Sequence, residues 1–125
     1  MGQLFFTAGH EWARLDGQEA AVGVAGDGLY GDVVYIELPE IGRRVEAGEA
    51  CAQVETVKSV RDVHAPVSGV VTAVNDSVFD DPDVIARQPL DTWLFKLRAD
   101  GDGREGLMTQ AQYAAWTRRK NDDNP

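Results

Sequence analysis

Cysteine is almost missing from this sequence. Cys51 is the only one among 125 residues, so an intrachain disulfide is excluded. One cysteine and two histidines also fall short of a zinc ligand set. The acidic run Asp80-Asp81-Pro82-Asp83 lacks the spacing of a calcium loop, so no metal site is expected. Positive charge is in short supply as well: 12 basic residues face 21 acidic ones, a net charge of −9. That excludes a nucleic-acid binder, whose partner demands basic patches. It suits a protein that meets other proteins through their basic surfaces. No apolar run is long enough for a membrane span. The opening MGQLFFTAGHEW has neither the basic stretch nor the long apolar core of a signal peptide. A cytoplasmic location is therefore expected. Lysine is the scarcest charged residue, with Lys58, Lys96 and Lys120 set against nine arginines.

Thirteen glycines, five prolines and many β-branched residues favour sheet over helix. HEWARLDGQEAAVGVA reads as two strands around a tight turn at Asp16-Gly17. DVVYIELP reads as a strong strand, with Val33, Tyr35 and Glu37 on one face and Val34, Ile36 and Leu38 on the other. Pro39 ends it. Further short strands run through CAQVETV, VRDVHAPV, GVVTAVN and TWLFKL. The tail GLMTQAQYAAWTRRK has helical spacing, with Leu107, Ala111, Ala114 and Ala115 toward one side. Gly31-Asp-Val-Val and Gly69-Val-Val-Thr each open a strand 38 residues apart, a faint echo that suits two similar halves. The expected fold is all-β: a flattened barrel or sandwich of short antiparallel strands with a C-terminal helix. It forms one domain over residues 1–117, with 118–125 as a fraying tail.

Val54, Val57, Val60 and Val63 recur every three residues, which imitates a helical stripe. Five of the ten residues from 54 to 63 are β-branched, and no cap precedes them. Two strands joined by a turn at Val57-Lys58 give the same spacing, and they lift Lys58 to the tip of a hairpin. Taken alone, Lys58 reads as a solvated turn lysine. Two matches to GxGxxG, at Gly26 and Gly101, are turns rather than nucleotide sites. The first runs into a strand, and after the second too little chain remains for a βαβ unit.

The surroundings of Lys58 carry more. VETVKSVRDVHAPVSGVV resembles the lipoylation site of the glycine cleavage system H-protein family. The matching positions are Val54, Glu55, Thr56, Lys58, Ser59, Asp62, Ala65, Pro66, Ser68 and Gly69. Gly42 lies 16 residues before the lysine and Gly69 lies 11 after it, as lipoyl domains tend to have. HEW at 10–12, GDVVYIELPEIG at 31–42, VEAGE at 45–49 and WLFKL at 93–97 look like family segments in family order, so the resemblance covers residues 5 to 115.

The resemblance implies covalent lipoate on Lys58, with Glu55, Gly42 and Gly69 serving recognition by a lipoyl or octanoyl ligase or transferase. Glu11 is implied to line the cleft that shelters the loaded arm. His10 beside it is carried as a second cleft residue, although a structural hydrogen-bonding role is its first reading. The implied function is that of a carrier without catalysis of its own. It would move an aminomethyl group from glycine decarboxylase to aminomethyltransferase, then an electron pair to dihydrolipoyl dehydrogenase. The alternative is an H-like lipoyl carrier serving sulfur metabolism or a lipoate-dependent modification or redox relay. One departure stands out: family members carry a short helix before the GD of the long strand, where this chain has the glycine-rich VAGDGLYGD. Glycine disfavours helix, so a loop is expected there, and with it a less sheltered arm.

Overall fold

A computed structural model describes residues 2–26, 29, 31–101 and 106–122. Chain order gives β1 (Gln3–Phe6), β2 (Glu11–Asp16), β3 (Glu19–Val24), β4 (Val33–Glu37), β5 (Arg44–Val45), β6 (Ala50–Thr56), β7 (Val60–His64) and β8 (Gly69–Val74). A short helix α1 (Val84–Arg87) follows, then β9 (Phe95–Ala99), β10 (Met108–Thr109) and the helix α2 (Gln110–Asp122). Seven strands form one antiparallel sheet in the order β10-β1-β2-β3-β9-β8-β5, and β4-β6-β7 form a second. The all-β expectation with a C-terminal helix holds.

Period-2 alternation sorts the side chains of β2 and β3 between two cores. Ala13, Leu15, Ala20, Val22 and Val24 join Ile36, Val54, Val63, Phe95 and Leu97 in the larger cluster. Trp12 turns the other way and packs with Phe6, Ala25 and Tyr113 in a smaller one beneath α2. The Trp12 ring lies across Gly23, where an added Cβ would sit 2.3 Å from it. Its Nε1 donates to the Pro89 carbonyl at 2.9 Å.

Three details differ from the sequence reading. The β2–β3 turn is Gly17-Gln18, one residue later than expected, because Asp16 still pairs with Glu19 and Gly17 takes the positive φ of 62°. In β4 the simple alternation fails: a bulge between Val33 and Tyr35 buries Val33 and Ile36 and exposes both Val34 and Tyr35. In α2 the packing face is set by Tyr113, with Trp116 against the same cluster, while Ala111, Ala114 and Ala115 are exposed. The aromatics prevail because each buries more apolar area than alanine. The helix runs from Gln110 to Asp122.

The 38-residue echo has a structural counterpart. β8 carries a bulge between Val71 and Ala73, 38 residues beyond the one between Val33 and Tyr35 in β4.

Candidate functional site

Lys58 sits in the connection between β6 and β7, a hairpin whose register runs from Ala50↔His64 to Glu55↔Val60. The buried Thr56 organises the tip. Its hydroxyl accepts from the backbone N–H of Lys58 at 3.2 Å and of Ser59 at 3.1 Å. Its own N–H donates to the Ser59 carbonyl at 2.8 Å. A second anchor comes from the other side: Val57 N–H donates to the Asp32 carbonyl at 3.0 Å, and the neighbouring Val33 N–H donates to Asp83 Oδ1 at 3.0 Å. The turn is therefore held on a rigid base while the Lys58 side chain stands exposed.

Around that lysine lies a collar of exposed apolar groups, Val57, Val60 and Tyr35. Glu55 is exposed in its middle and pairs across the sheet with Tyr35 on one side and Val60 on the other. The glycine that touches the lysine is Gly31, where an added Cβ would meet Val57 Cγ2 at 3.0 Å and Lys58 Cγ at 3.4 Å. Of Gly42 and Gly69, singled out by their spacing, Gly69 pairs with Val45 in β5–β8 and Gly42 lies in the turn just before β5. Gly42 N–H donates to the Val71 carbonyl at a φ of 94°. At Gly69 an added Cβ would sit 2.3 Å from the Arg98 carbonyl oxygen. Both glycines shape that strand pair, and neither has the lysine as a neighbour.

A cleft of about 500 Å³ lies between the two sheets, lined by Thr7, Gly9, Glu11, Gly48, His64 and Leu107 among others. Glu11 lies at its floor, 2% exposed. A buried carboxylate needs donors, and three supply them. Thr7 Oγ1 donates to Oε1. On Oε2 converge the backbone N–H of His64 at 3.0 Å and its ring Nδ1 at 3.1 Å. Thr7 is fixed in turn by the Glu11 N–H, which donates to Thr7 Oγ1 at 3.1 Å. The Gly9 carbonyl accepts from the Arg61 guanidinium, three residues past Lys58. His64, whose N–H meets the Glu11 carboxylate, lies on the same arm six residues past Lys58, about 20 Å of chain at about 3.3 Å per strand residue.

His10, expected beside Glu11, faces away. It lies in the bend just before β2, in the left-handed region with a φ of 68°. Its Nδ1 lies 2.6 Å from the Tyr113 hydroxyl and its ring packs edge-on to Tyr113 and beside Trp116. Cys51 is a packing group, its thiol pushed up to about 11 by burial, far from the thiolate a nucleophile needs. The glycine-rich segment is described only in part. Ala25 is buried and its N–H donates to the His10 carbonyl at 2.7 Å, and Leu29 N–H closes a turn on Gly26 at 3.0 Å. Asp27, Gly28 and Tyr30 lie outside the described residues.

Sequence reasoning missed Thr7, Gly9, Gly31, Arg61 and His64. His64 was the most accessible of these, as one of only two histidines. Its partner Glu11 is 53 residues away, and no local pattern announces such a pairing.

The family profile described as Glycine cleavage H-protein matches residues 4–120. This chain belongs to the glycine cleavage H-protein family. Among curated relatives, the glycine cleavage system H protein of Acidiphilium cryptum is 43% identical over 120 residues, covering 93% of this chain and 97% of its own. That of Azoarcus is 46% identical over 115 residues, covering 89% and 91%. The crystal structure of a glycine cleavage system H protein from Mycobacterium marinum superposes with a TM-score of 0.83 at 35% identity, covering 94% and 98%. Nothing among these relatives favours a carrier of another pathway.

Proposed function

We propose that this chain is the lipoyl carrier of a glycine cleavage system, with lipoate in amide linkage to Lys58 and Glu11 as the polar anchor of the sheltering cleft. The observation that carries the reading is Lys58 on a braced hairpin tip whose β7 arm runs on to the His64 N–H that meets the buried Glu11 carboxylate. The residues fit the group. An exposed amine on a fixed turn is open to acylation, and a half-apolar cleft with one acceptor at its floor suits an apolar arm ending in a cation. Lipoate, when bound, supplies a dithiolane able to take up a one-carbon unit and an electron pair.

The chain's own part is mechanical. Thr56 and Asp32 hold the turn in one shape, so a ligase or transferase meets the same surface each time. Glu55, ringed by Tyr35, Val57 and Val60, is the charged feature such an enzyme reads. Gly42 and Gly69 serve recognition through the frame they shape, not by contact. The partners in this reading are glycine decarboxylase, aminomethyltransferase and dihydrolipoyl dehydrogenase, which the carrier visits in turn without catalysing a step. His10 serves the cleft from behind, through its hold on α2.

Intact mass after co-expression with a lipoyl ligase tests the attachment. One lipoyl addition is expected on the native sequence and on Lys96→Arg and Lys120→Arg, and none on Lys58→Arg. Modification surviving Lys58→Arg would overturn the assignment.

A further inference from the structure

We infer that His64 is a positioning residue that occupies the docking place on Glu11 and must yield it when a cation arrives. The inference rests on the proposed docking at Glu11 and adds the residue that controls it.

A carboxylate has only acceptors, so the His64 ring nitrogen in contact with Oε2 is the one that carries hydrogen. The backbone N–H of the same residue fills the other side of Oε2. On Oε1 the Thr7 hydroxyl donates, and Gly9 packs so near that an added Cβ there would lie 2.6 Å from Oε1. Both carboxylate oxygens therefore already hold donors. Of its three donors, two are fixed. The His64 N–H belongs to β7, and the Thr7 hydroxyl is itself held by the Glu11 N–H. The imidazole is the one that can leave, because its side chain is 45% exposed against 2% for Glu11. It stands at the boundary between the cleft and the buried charge.

A primary ammonium brought into the cleft gains a charge-assisted contact to Oε2 only if the ring swings out. His64 thus keeps Glu11 satisfied while the cleft is empty, and it weakens docking by the contact that has to be given up. A carrier gains from this: it holds its cargo, yet releases it to the next enzyme.

The test uses the full chain, lipoylated on Lys58 and loaded from glycine by the decarboxylase. With ¹⁵N-labelled histidine, loading should shift the His64 ring resonances, as Nδ1–H leaves a carboxylate for water. Formaldehyde release from the loaded protein should be slower in His64→Ala, by about threefold to tenfold. It should return to the native rate in His64→Asn, whose amide N–H stands where Nδ1–H stood. Glu11→Gln should speed release. If Glu11→Gln speeds release while the His64 resonances stay fixed on loading, or His64→Ala releases as fast as the native chain or faster, the docking reading stands and the role of His64 falls. Release indifferent to Glu11→Gln would overturn the docking reading itself.

Discussion

At Thr56 a single hydroxyl accepts from two backbone N–H groups of the turn that presents Lys58. Thr56→Val keeps the shape and removes the acceptor, leaving two donors to find water. A loss of about 1–2 kcal/mol in stability is expected by chemical denaturation, together with slower ligase-dependent modification of Lys58. Thr56→Ser should keep both near native. Equal modification rates in native and Thr56→Val protein would show that the ligase imposes its own geometry on the turn. The hairpin tip that lifts Lys58 was legible in the sequence from its turn and β-branched flanks, whereas the roles read for Lys58 and Glu55 came through the family resemblance of that one continuous stretch. The cleft role read for Glu11 rested on the same resemblance. His64 and Thr7 were not singled out, because their roles arise where the start of one sheet meets the edge of the other.

At the scale of elements, α2 is held by aromatic stacking. The rings of Phe6 and Tyr113 lie 4.3 Å apart and nearly parallel, and Tyr113 also meets His10. Tyr113→Ala should cost about 3–5 kcal/mol, by analogy with other large aromatic deletions, and should loosen α2 before the sheets. Hydrogen exchange resolves the two. If α2 amides exchange no faster than in the native chain, the helix is held from elsewhere. Sequence periodicity found this helix and missed its face, because Leu107 and three alanines at helical spacing masked one tyrosine and one tryptophan, and Leu107 lies before the helix. Area decides the matter, and one buried ring outweighs several exposed methyl groups. In β4 the reading failed for another reason. A bulge inserts one residue into the alternation and reverses the faces beyond it, and no residue type in Val33–Glu37 marks where it falls.

For the whole molecule, the two-sheet fold and its hairpins followed from turn residues and β-branched runs, while the division into seven and three strands did not. That division depends on pairings such as β3 with β9, which join distant segments. Net charge was plain from composition and has a consequence at this scale. With −9 overall, association with a basic partner surface should be electrostatically steered. Its rate should fall steeply as salt rises while dissociation changes less. Stopped-flow measurement with the ligase checks this, and a salt-independent association rate would assign recognition to the apolar collar around Lys58 alone.

The Glu11 carboxylate does one thing more by reaching the His64 N–H. Among the described residues β7 pairs only with β6, so its outer side is a sheet margin with main-chain donors facing outward, open to a strand from another molecule. Glu11 covers one of those donors, and the Arg61 guanidinium reaches from the same strand to the Gly9 carbonyl, drawing the β1–β2 connection over the margin. The sheltering cleft thus also serves as a guard against self-association. In Glu11→Ala the guard is gone, and an N–H is left unpaired beside a strand whose neighbour can be a second copy of itself. Sedimentation at rising concentration should then show reversible dimers that the native chain does not form. A variant that stays monomeric throughout would mean that Arg61 and the loop protect the margin on their own.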